Sequence, residues 1–140
     1  MAVLLISSAA TGCSIISGPD KPNLQLGFDI EQGLPQDLRL EIDVGGDTFH
    51  LDGSQLIDGR APREGDLPVT VRLLLDGQVL AQTSFGQTFH ADYDNWVHGH
   101  LGSQRPMGIC IGVLSVVPVG PPVADTLFLM HGSLPKGAVC

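Results

Sequence analysis

The sequence predicts an all-β domain, and three observations carry the prediction. Apolar residues alternate with polar ones from Asn23 onward, Gly-Gly and Asp-Gly pairs punctuate the alternating runs, and 18 Gly with 10 Pro among 140 residues argue against a helix bundle. One domain is expected at this length, since single domains commonly run to about 100–150 residues. Within the class, the many short strands point to an antiparallel β-sandwich or Greek-key barrel of immunoglobulin-like or transthyretin-like topology.

Leu24, Leu26, Phe28 and Ile30 alternate with Asn23, Gln25, Gly27 and Asp29, so the first strand has one apolar and one wet face. Leu38, Leu40, Ile42 and Val44 repeat the pattern, and Gly45-Gly46 turns the chain into Thr48 to Leu51. Residues 52–66 hold four acids, two Arg, three Gly and one Pro without a period, and read as a long exposed loop. Val69, Val71, Leu73 and Leu75 resume the alternation, and Asp76-Gly77 supplies positive φ for a hairpin that returns at Val79. Phe85 to Tyr93 follows, with a further two-residue turn expected at Asp94-Asn95 before Trp96 to Leu101. Ile109 to Val117 and Thr126 to Met130 are nearly continuous apolar runs, joined through a Pro/Gly stretch at 118–122, and read as central strands covered on both faces.

Fifteen acidic residues stand against seven Lys plus Arg, a formal charge of −8, and fourteen of the acids precede Asn95. Such a field repels phosphate backbones and argues against a nucleic-acid partner. At 43% apolar and 16% charged, the chain is composed for a folded core and not for disorder.

The N-terminal run Met1-Ala2-Val3-Leu4-Leu5-Ile6 is too short to span a bilayer, which takes about 20 residues as a helix. Small residues follow, ending in Ala10-Thr11-Gly12-Cys13, a segment that resembles the lipobox of bacterial lipoproteins. It differs from that pattern in having no basic residue before the apolar run and in carrying Ala10 where Leu is preferred. The resemblance implies a signal peptide over 1–12, possession of a lipid by Cys13, a tether over 13–21 and a single domain over 22–140. It also implies a membrane-anchored place in the cell envelope, and Ser14 after the cysteine agrees with the outer membrane. The residues alone admit another reading, a buried first strand with a free Cys13.

With Cys13 taken as the lipid site, Cys110 and Cys140 remain as an even pair in a compartment that permits disulfides. Closing the loop between them would contribute about 3–4 kcal/mol in the chain-entropy model. The alternative is a buried Cys110 and a free terminal thiol.

Candidate chemistry centres on His98-Gly99-His100. Residues two apart on a strand share a face, so both imidazoles could ligate one zinc or copper ion with help from a neighbour. With a turn at Asp94-Asn95 the pair would share its face with aromatics; a strand running straight through would place His90, Asp92, Asp94, Trp96, His98 and His100 on one face. The His-x-His strand followed by Arg105 to Val113 resembles a short stretch of copper-zinc superoxide dismutase, but that family's further metal histidines and zinc-loop Asp have no counterpart here. The loop acids Asp52, Asp58, Glu64 and Asp66 lack calcium-loop spacing, and no catalytic residue is assigned. Tyr93 and Trp96, the single Tyr and the single Trp, could form a recognition surface at the expected turn or pack as core. The expected function is therefore a non-enzymatic envelope lipoprotein that acts as a binding or structural module, with a protein among its candidate partners and without a cofactor. The alternative is a periplasmic zinc- or copper-binding protein using His98 and His100.

Overall fold

The alternating runs form strands in the computed structural model, which describes residues 21–106 and 112–138. The strands are β1 (Asn23–Ile30), β2 (Arg39–Val44), β3 (Asp47–Asp52), β4 (Gln55–Arg60), β5 (Gly65–Leu75), β6 (Gln78–Phe89), β7 (Tyr93–Gly102), β8 (Val113–Val119) and β9 (Asp125–Pro135). No helix occurs among the described residues. The strands make a β-sandwich of a five-stranded sheet, ordered β4-β1-β7-β9-β8, and a four-stranded sheet, ordered β3-β2-β5-β6. Every pairing is antiparallel except that of β1 with β7, which is parallel.

One parity of each long strand turns inward. Leu24, Leu26, Phe28 and Ile30 of β1 meet Leu40, Ile42 and Val44 of β2 and Val69, Val71 and Leu73 of β5 in one buried cluster. Burying each such side chain contributes about 1.5–3 kcal/mol, so the core and not the surface supplies the stability. The expected hairpins are present, with Gly45 and Gly46 at φ 56° and 102° and Asp76 and Gly77 at 51° and 78°. The second pair has the geometry of a type I′ turn, whose twist suits two antiparallel strands. Leu127 to His131 of β9 are buried in succession, as expected of a strand covered on both faces.

Three expectations are corrected. Residues 52–66 are not a long loop: Gln55–Arg60 forms β4, an edge strand paired to β1 through its backbone. Its side chains hid it, because Leu56 is 63% exposed and only Ile57 packs against the core. Of the run Ile109 to Val117, expected to be a central strand, residues 109–111 lie outside the described residues, and the described part forms β8, which lies at the edge of its sheet among the described strands, with Val113 52% and Val116 59% exposed. The third correction concerns the chain reversal near residue 94. Asp94 and Asn95 lie within β7, and the reversal falls at Ala91-Asp92, where the Tyr93 N–H donates to the His90 carbonyl at 3.2 Å. There the chain does not fold back as a hairpin; it leaves the four-stranded sheet for the other one.

Asn95 holds that crossing. Its side chain is 1% exposed, its Nδ2 lies 2.9 Å from the Asn23 carbonyl, 3.1 Å from that of His90 and 3.2 Å from that of Tyr93, and its Oδ1 accepts from the Ser133 hydroxyl at 2.7 Å. A turn-forming residue type is used here to satisfy carbonyls left over where three segments meet. Asn95→Ala is expected to lower the unfolding free energy by about 1–3 kcal/mol, the cost of orphaning buried polar groups, whereas the exposed neighbour change Asp94→Ala should stay within about 0.5 kcal/mol. Urea denaturation of both variants checks this, and equal midpoints would contradict the role given to Asn95.

Candidate functional site

Because Leu24, Leu26, Phe28, Val97 and Leu101 fill the interior, the alternate residues of β1 and β7 stand on the outer face of the five-stranded sheet. The parallel register sets Gln25 beside Trp96, Gly27 beside His98 and Asp29 beside His100. On the other flank β4 brings Asp58 to Gln25 and Leu56 to Gly27. A groove of about 590 Å³ runs here, bordered by Asn23, Gln25, Asp58, Arg60, Asp94 and Trp96. A second cavity of about 450 Å³, bordered by Gly27, Asp29, Leu56, His100, Pro106 and Met130, abuts it at His98. Both volumes fall in the usual range for small-ligand sites, about 300–1,000 Å³.

Gly27 makes the junction possible. A Cβ there would stand 3.0 Å from His98 Cδ2 and 3.2 Å from Leu56 Cδ1, so the missing side chain lets the imidazole lean across β1. Trp96 has an equivalent seat on the other side, where a Cβ on Gly132 would stand 3.0 Å from its Cζ2.

The histidines are distributed by role. His98 Nε2 donates to Gln25 Oε1 at 3.1 Å, and burial lowers the His98 pKa from its ordinary value. His100 Nδ1 donates to Asp29 Oδ2 at 2.7 Å, and its ring is tilted toward Phe128 with centroids 6.3 Å apart. Both stand on one face, as the spacing implied, but each has a partner on β1. His90 and Asp92 precede the strand and do not join them. Among the described residues, no three His, Cys, Asp or Glu side chains converge as metal ligands. His50 belongs to the opposite sheet, 3.2 Å from Glu41, which also accepts from Arg72. His131 is interior, stacked on Phe85 at 3.7 Å, and its Nε2 has no partner among the described residues. Burial lowers its pKa as well.

Tyr93 and Trp96 fall on opposite faces of β7 by alternation and do not share a surface. Tyr93 packs on His90, with ring centroids 4.2 Å apart. Trp96 alone borders the groove. Cys13, Cys110 and Cys140 all lie outside the described residues, and with them the lipid site and the disulfide. Gln25, Gly27 and Arg60 were not singled out by sequence reasoning, and Asp58 was considered there only as a loop carboxylate without calcium-loop spacing. Their one visible signal is the polar spacing of Asp58 and Arg60 about Gly59, which becomes meaningful only once β4 is known to be a strand.

Charge is handled differently on the two outer faces. On the four-stranded sheet Arg39 pairs with Asp52 at 2.7 Å, Arg72 with Glu41 at 3.1 Å and Thr48 with Asp43 at 3.0 Å, while Thr88 donates to Asp66. In the groove, Asp58 and Asp94 have no side-chain partner among the described residues, and Arg60 gives one N–H to the Lys21 carbonyl at 2.9 Å. Fold and site together define a β-sandwich with an open polar groove on one sheet face. No protein-family model, curated protein or solved structure matches the chain.

The lowered pKa values of His98 and His131 give stability a sign with pH. Above about pH 6.5 these imidazoles are neutral in both folded and unfolded chains; below it the unfolded chain takes up protons that the folded one resists, so stability falls. The unfolding free energy is expected to drop between pH 7.5 and 5.5, and His131→Phe, which keeps the stack on Phe85, should drop less. Chemical denaturation at the two pH values checks this; identical losses in both proteins would show that His131 does not contribute.

Proposed function

We propose that this chain is a non-enzymatic binding module of the bacterial cell envelope, held at the membrane by a lipid on Cys13 and stapled by a Cys110–Cys140 disulfide, with the outer-face groove as its ligand site. The groove is the observation that carries this reading. It is open, it is of ligand size, and its carboxylates Asp58 and Asp94 have no side-chain partner among the described residues, whereas Arg39, Arg72 and Asp43 on the opposite sheet are engaged. Among the described residues that border the groove there is no Ser, Thr or Cys to act as a nucleophile, which favours binding over nucleophilic catalysis there. The lipobox-like segment supports the address, and an acidic, Gly-rich domain of this size gains from a covalent staple. A zinc or copper site at His98 and His100 has no third ligand among the described residues to favour it.

The intact mass of the protein recovered from the membrane fraction of a bacterial host expressing the full chain tests the anchor and the staple. A diacyl or triacyl chain beginning at Cys13 and two hydrogens lighter than the dithiol is expected. An unprocessed soluble chain, or one carrying stoichiometric zinc or copper that is lost in a His98→Ala, His100→Ala double variant, would overturn the reading.

A further inference from the structure

We infer that the groove binds a neutral saccharide chain, an inference that rests on the groove being the ligand site. Four features of the groove point the same way. Its available polar groups are of mixed kind. Asp58 and Asp94 only accept, Arg60 only donates, and Asn23 and Gln25 carry amides whose oxygens already accept from the Asn95 N–H and His98 Nε2, leaving their N–H groups to donate. Hydroxyl groups, which donate and accept at once, satisfy such a set. An anion would engage Arg60 alone and be repelled by the two carboxylates, and a cation meets Arg60 two strand positions from Asp58.

The floor of the groove also discriminates. β1 is hydrogen-bonded on both sides, to β4 and β7, and β7 to β1 and β9, so their backbones have no free edge to offer. Strand addition by a peptide could use only the outer edge of β4, beside the groove and not over its floor, so recognition on the floor falls to side chains. Trp96, seated over Gly132, gives the groove an aromatic wall against which the C–H face of a sugar ring can pack while its hydroxyls reach the planar groups opposite. These planar groups are borne on paired strands, which fixes their spacing in advance of binding.

Trp96 is the only tryptophan of the chain, so its fluorescence reports on the groove directly. The full chain is titrated with chitohexaose, cellohexaose and maltohexaose, and with spermidine and tripolyphosphate as charged comparators. A saturable change with at least one neutral hexasaccharide is expected, weakened about tenfold or more by Asp58→Ala, the loss of hydrogen bonds to a charged group. Asp58 is exposed on an edge strand, and an unchanged denaturation midpoint confirms that the variant is folded. Calorimetry follows the same loss in Trp96→Phe. Absence of saturation with all three hexasaccharides, or equal affinity in Asp58→Ala, overturns the proposal. Saturation by spermidine or tripolyphosphate alone also overturns it but leaves the groove a ligand site, and a missing lipid would remove the anchor without touching the saccharide result.

Discussion

The parallel register of β1 against β7 decides which side chains meet on the outer face. It is set at one end by the Asn95 amide, which reaches the Asn23 carbonyl at 2.9 Å, and carried forward through six residue pairs from Gln25–Trp96 to Ile30–Leu101. A slip of one residue would turn Leu24, Leu26 and Phe28 out of the core and send Gln25 and Asp29 into it, so burial and the Asn95 contact enforce the same alignment. From this alignment follow the bonds of His98 to Gln25 and of His100 to Asp29, and the vacancy above Gly27 where the two cavities adjoin.

The two outer faces have diverged in character. That of the four-stranded sheet carries the ion pairs Arg39–Asp52 and Arg72–Glu41, each contributing only about 0–1 kcal/mol at such exposure. These pairs consume charges without adding much stability. On the other face, carboxylates two strands apart are left unpaired around an indole. Stability comes from the shared core beneath, which allows one face to be kept open.

On the β9 side the sheet is closed. Phe128 and Met130 stand on the outer face by register with His100 and His98, yet both are buried. Pro106 borders the cavity next to Met130, and Gly112 lies so near β9 that a Cβ on it would stand 2.6 Å from the His131 carbonyl oxygen. Only glycine permits that approach, and Gly132 opposite repeats the requirement. The groove is thus confined to the β4, β1 and β7 side of the sheet.

Local physics made most strands readable. Alternation in β1, β2 and β5 and the Asp76-Gly77 turn are properties of neighbouring residues, and two-sided burial of β9 shows as an unbroken apolar run. His98, His100 and Trp96 were identified on one strand for the same reason, since spacing of two puts them on one face. What sequence could not reveal depends on partners distant in the chain. β4 has little inward apolar surface and exists because β1 offers it a hydrogen-bonding edge. Asn95 looks like a turn residue until Asn23, 72 positions earlier, supplies its carbonyl. Asp58 and Arg60 are ordinary surface charges until the sheet sets them opposite Gln25 and Asn23. Composition and period by themselves determined an all-β sandwich with one wet face on β1, β2 and β5 and none on the middle of β9. Which wet residues share a groove was decided only by tertiary structure, because strand order and the parallel register are settled by long-range burial and hydrogen bonding that no local pattern encodes.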